Sequence, residues 1–145
     1  MNKLQFSINI KARKQKVWDT LWQDQTFRQW ANIIDEGTYM IGDFKEGSEI
    51  QFISAVNGYG VTSFIQKLTP TEFLLIKHSA DTQDKGQNER DKQWTGGEES
   101  YSLSEKDGVT TLIATFDVPD ELIDYFNEAY PKAFEKVKEL AENQY

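Results

Sequence analysis

Leu4-Gln5-Phe6-Ser7-Ile8-Asn9-Ile10 alternates apolar and polar residues without a break, and Lys16-Val17-Trp18-Asp19-Thr20-Leu21-Trp22, just downstream, does not. In the first stretch Leu4, Phe6, Ile8 and Ile10 fall on one face, the pattern of a half-buried strand. In the second, Val17 and Leu21 stand four apart, as do Trp18 and Trp22, which is the spacing of neighbours along a helix. The repeat therefore changes from two to 3.6 near Ala12, and a strand gives way to a helix with Trp18 in the core and Trp22 on the helix surface. A second short helix is expected over residues 26–30, with Phe27 and Trp30 on one side.

Further along, the period returns to two. Strands are expected near residues 38–41, 49–55, 61–68, 73–78, 99–104 and 110–116. Turn-forming residues separate most of them: Lys45-Glu46-Gly47, Asn57-Gly58-Tyr59-Gly60, Thr69-Pro70-Thr71 and Lys106-Asp107-Gly108. Short connections make neighbouring strands antiparallel. One connection is long: residues 80–97 are polar and charged, with Trp94 near the end, and a loop of that length in one domain is commonly functional or disordered. The last segment, residues 119–142, reads as a helix whose apolar stripe is Ile123, Phe126, Tyr130, Ala133, Val137 and Leu140. Asp117 or Asp120 can cap its start, and Pro131 removes one backbone donor and is expected to kink it near residues 127–130. The order is α+β: strand, helix pair, antiparallel strands, long helix. No repeat or linker divides it, so residues 1–145 read as a single domain.

Composition narrows the function. The chain has 145 residues, no Cys and one His, which excludes disulfides, thiol chemistry and His-rich metal clusters. The net charge of −8 repels phosphate backbones and argues against nucleic acid. No apolar run is long enough to insert in a membrane, and the first residues lack the apolar core of a signal peptide, so a soluble cytoplasmic protein is expected. Charge is uneven: residues 1–30 carry six basic and two acidic side chains, and residues 117–145 carry three basic and eight acidic. Folding that joins the two ends would pair opposite signs weakly at the surface.

Three motifs carry a family resemblance: Ile10-Lys11-Ala12 followed by Lys16-Val17-Trp18-Asp19-Thr20-Leu21 and Trp30; Ile41-Gly42-Asp43-Phe44-Lys45-Glu46-Gly47; and Gly108-Val109-Thr110-Thr111-Leu112 before the long helix. In this order they resemble the START-like (Bet v 1-like, SRPBCC) superfamily, and within it the bacterial Hsp90 ATPase activator homologues, over about residues 3–143. Glu46 stands where many members have the first of two glycines. The resemblance implies a helix-grip fold: a seven-stranded curved antiparallel sheet wrapped around the long C-terminal helix, with two short helices after the first strand. It also implies a cavity between sheet and helix that binds small apolar or amphipathic molecules in many branches.

The residues that suit such a cavity are the large apolar Phe52, Phe64 and Ile76 of the strands, and His78, Trp94, Phe126 and Tyr130. His78 reads either as a polar residue at a strand end or as a polar contact for a ligand. Trp94 either packs down as an anchor for its loop or covers the cavity mouth. Phe126 and Tyr130 belong to the helix stripe and serve either the core or the cavity, where the Tyr130 hydroxyl would be the polar contact. Nothing supports nucleophilic catalysis: there is no Gly-x-Ser-x-Gly elbow and no Ser with a recognisable base. Glu98-Glu99 and Asp35-Glu36 are assigned to turns, where solvation accounts for them, and the glycines around Gly58 and Gly96-Gly97 precede no helix. Neither metal nor cofactor is expected. The reading is a non-enzymatic binder of a small apolar or amphipathic ligand. The alternatives are a protein-interaction or chaperone-cofactor module with a protein partner, and a small cyclase or hydrolase using the same cavity.

Overall fold

The computed structural model describes residues 2–56, 58–83 and 97–143. The chain runs β1 (Asn2–Ile10), α1 (Lys14–Trp22), α2 (Asp24–Ile34), β2 (Thr38–Ile41), β3 (Glu49–Ser54), β4 (Tyr59–Thr69), β5 (Phe73–Gln83), β6 (Glu98–Lys106), β7 (Val109–Val118) and α3 (Ile123–Glu142). The strands form one seven-stranded sheet in the order β1-β7-β6-β5-β4-β3-β2, antiparallel throughout. β1 and β2 thus occupy opposite edges. The α1–α2 pair carries the chain from one edge to the other, and the meander then returns strand by strand until β7 closes on β1. This is the helix-grip arrangement, with α3 packed on α1, α2 and β1.

The core follows from the two periodicities. The inward face of β7 is Thr110, Leu112, Ala114, Phe116 and Val118, alternating strictly with half-buried neighbours. From β5 come Leu74, Ile76 and His78, all buried, with Lys77 exposed between them. α3 buries Phe126, Ala129, Tyr130, Ala133, Phe134, Val137 and Ala141. The stripe therefore ends on Ala141, four residues beyond Val137, and not on the larger Leu140, which is half-buried. Pro131 lies within α3, which is continuous across it. The helix is entered through a 3-10 turn at Asp120–Leu122, and no side chain caps it; Asp117, expected as a cap, belongs to β7.

Several elements are longer than their sequence patterns. β5 continues to Gln83, into what reads as loop, and α2 extends to Ile34. Trp94 and the rest of that loop's middle, residues 84–96, lie outside the described residues. Trp22 is a correction: with an exposure of 8% it is not a surface residue, but is enclosed by Phe44, Tyr101 and Trp30 at centroid distances of 5.4, 4.8 and 6.2 Å. The oppositely charged ends do meet. Lys3 pairs with Asp117 at 3.0 Å, and the Lys16 ammonium donates to the Asn143 carbonyl at 2.8 Å. Glu142 accepts from the Lys138 ammonium and from the Lys11 backbone N–H, in that order of weight the causes that lower its pKa. No described helix is long and apolar enough to cross a membrane.

Candidate functional site

Where α3 and α2 stand off the sheet they leave a pocket of about 390 Å³. Its walls are mostly apolar: Trp22 from α1, Phe27, Trp30, Ala31 and Ile34 from α2, Phe52 and Val61 from the sheet, Leu122 from the 3-10 turn, and Tyr125, Phe126 and Tyr130 from the start of α3. The helical wall ends at Tyr130, the residue before Pro131. At the mouth, the Tyr125 hydroxyl donates to the Ile34 carbonyl and ties α3 to the end of α2. Gly60 is also in the wall. A Cβ there would stand 1.8 Å from the Phe52 carbonyl oxygen, so the backbones of β3 and β4 approach closely because position 60 has no side chain.

One side of the pocket is polar, and the strand register builds it. Ser63 on β4 is directly opposite His78 on β5, and Glu99 on β6 pairs with Ile76, two residues before His78. Long side chains at such diagonal positions reach each other. Ser63 Oγ lies 2.7 Å from His78 Nδ1, and His78 Nε2 lies 3.4 Å from Glu99 Oε2. The other Glu99 oxygen accepts from the Tyr101 hydroxyl. Tyr130 of α3 stands in the same wall, close enough that the Glu99 charge acts on its hydroxyl. Three neighbouring strands thus build one polar cluster around the Glu99 carboxylate.

The electrostatics follow from burial. Desolvation first, and the Glu99 charge second, push the Tyr101 and Tyr130 hydroxyls well above the ordinary phenol range, so both keep their protons. Asp117, at the rim, is pushed up by partial burial, but the Glu98 backbone N–H and the Lys3 ammonium outweigh this and hold it below the usual carboxylate range. An ionised carboxylate only accepts, so the imidazole turns an Nε2–H toward Glu99. Ser63 is fully buried and does not form part of the wall, so its hydroxyl supports the ring and is not presented to a substrate. The serine, histidine and glutamate are in line, but not in the arrangement of an exposed nucleophile.

Of the residues singled out from sequence, Phe52, His78, Phe126 and Tyr130 lie in the pocket wall. Phe64 does not: it is 43% exposed, facing the opposite side of the sheet with its cross-strand partners Glu49 and Lys77. The inward residues of β4 are Ser63 and Ile65, so Phe64 has the wrong parity. Ile76 has the right parity but is wholly enclosed in the core and does not reach the pocket. His78 is no strand end, since β5 runs five residues past it. Trp94 lies outside the described residues. Missed from sequence were Trp22, Tyr101, Ser63 and Glu99. Glu99 was assigned to a solvated turn, whereas its side chain is 13% exposed within β6. The signal was present in the alternation Glu99, Tyr101, Leu103, which puts the acid on the face of two buried residues.

The fold, a seven-stranded antiparallel sheet with a long C-terminal helix, is shared with solved structures. Among solved structures the chain is similar to protein MLL2253 from Mesorhizobium loti (15% identity, 96% of each chain, TM-score 0.73). It is similar also to protein CV1439 from Chromobacterium violaceum (14% identity, 99% of each chain, TM-score 0.70). A third is the Aha1 dimer from Colwellia psychrerythraea, with 21% identity over 98% of this chain and 95% of that one, and a TM-score of 0.66. No protein-family model and no curated protein matches the sequence.

Proposed function

We propose that the chain is a non-enzymatic binder of a small apolar or amphipathic molecule, held between the sheet and α3. The observation that carries this reading is the pocket itself: about 390 Å³ of space, largely apolar in its walls, with one polar cluster at Glu99, His78 and Tyr101 and further polar residues, Asp35, Thr38, Ser54 and Asp117, also in the lining. Sites for small ligands have this composition and range over about 300–1,000 Å³. The branch we favour is that of the Hsp90 ATPase activator homologues, supported by the sequence motifs and by the Colwellia structure. That structure is described as a dimer, which is the support for a protein partner as the second reading.

The test is fluorescence titration of the full chain with Nile red, an uncharged dye that brightens in apolar surroundings. Saturable binding, displaced by octanol, is the expected result. Tyr130→Ala should change the dye affinity while the circular dichroism spectrum stays native. A native protein that does not bind the dye would overturn the ligand reading and leave the interaction module.

A further inference from the structure

We infer that the pocket selects organic cations: an amine or alkylammonium with an apolar body, its charged head seated at Glu99. The inference rests on the binding reading above and names its ligand class. Among the described residues, the ionisable side chains in the wall are Asp35, Glu99, Asp117, His78 and three tyrosines, with no lysine or arginine. Asp117 is offset by Lys3, and Asp35 is exposed at the mouth, so Glu99 sets the charge inside.

Glu99 has accepting capacity to spare. It accepts from Tyr101 through one oxygen, and the other faces His78 at 3.4 Å, longer than a well-formed hydrogen bond. An ionised carboxylate offers about four lone-pair sites, so a ligand N–H finds an acceptor there without displacing either partner. The surroundings favour a cation as well. Trp22, Tyr101, Phe116 and Tyr130 are in successive contact, at centroid distances of 4.8, 5.7 and 4.3 Å, and all four line the pocket. Aromatic faces attract an ammonium, and the attraction grows where water is excluded. A ligand carboxylate in the same place would face Glu99 across a space of low polarity, with the imidazole N–H already turned to that acid. The whole chain, at −8, draws cations toward it.

The experiment uses the full chain loaded with Nile red at neutral pH, and three competitors sharing one eight-carbon body: octylammonium, octanol and octanoate. Octylammonium should displace the dye at a concentration about tenfold or more below that of octanoate, with octanol between them. Glu99→Gln should bring octylammonium back toward octanol, narrowing the ratio between the two competitors measured in the same variant. Octanoate matching or surpassing octylammonium in the wild-type protein would overturn the cation class while the binding reading stands. So would a preference for octylammonium that survives in Glu99→Gln. Failure of the dye to bind, or of octanol to displace it, would remove the binding reading and the cation class together.

Discussion

Glu99, Tyr101 and Tyr130 illustrate how little of a site depends on any one side chain's identity and how much on its neighbours. Tyr101 is 1% exposed and Tyr130 7%; Tyr101 donates to the Glu99 carboxylate, and Tyr130 lies within reach of its charge. Their ordinary pKa is 10.0, and burial followed by the Glu99 charge raises both in the folded state. The consequence is a pH dependence with a definite sign. Unfolded tyrosines release their protons near pH 10 while the folded ones keep them, so this contribution to stability is whole below about pH 10 and is lost as pH rises above it. Urea denaturation between about pH 8 and about pH 11 should show stability falling over the last unit, and falling less steeply in Tyr101→Phe. Identical slopes in the two proteins would mean that Tyr101 ionises in the fold as it does in the open chain. Single residues were also where the sequence was hardest to read. Phe64 was attractive for its size and Glu99 unattractive for its charge, yet strand parity sends the phenylalanine outward and the glutamate inward. The inward neighbours of Phe64 are Ser63 and Ile65, so apolar character alone does not mark the buried face of β4.

At the scale of elements, α3 has two functions along its length. Its first turns, with Phe126 and Tyr130, face open space, whereas Phe134 and Val137 further along are enclosed in the core. Deleting a ring costs most where the surroundings were full and least where a void already lay beside it. Phe134→Ala, at a residue 2% exposed and outside the pocket wall, should lower stability by about 3–5 kcal/mol. Phe126→Ala should cost measurably less, since its ring already borders the pocket, and calorimetric melting of the two variants decides between them. Equal losses would indicate that Phe126 packs as closely as Phe134 and that no space lies beneath the first turns. The stripe of α3 was legible from spacing alone, and so was the strand-to-helix change after Ile10, because both elements are strongly periodic. Their ends were not. β5 gains five residues beyond the expected strand end, mostly polar ones, and α2 gains Ala31, Asn32, Ile33 and Ile34 beyond Trp30; in each case the pairing or helical turn depends on contacts that no local pattern encodes.

Across the whole molecule, the architecture has one consequence that no element has alone. The sheet begins and ends with β1 and β2 at opposite edges, and the helices that link them must cross one face. That crossing puts the aromatic residues of α1 and α2 over the sheet, and α3 completes the enclosure on one side. The order of elements, taken with the family resemblance of their motifs, anticipated this enclosure. It could not show how much of the enclosed volume the side chains fill, because that depends on three-dimensional packing among nineteen aromatic rings. The most direct measurement is therefore methyl NMR of the full chain titrated with octanol. The account predicts saturable shifts at Ala31, Ile34, Val61 and Leu122, which line the pocket, with Val17, Leu112 and Val137 of the closed core nearly still. Shifts confined to exposed methyls such as those of Ile41 and Val56, or no saturable shift at all, would contradict it.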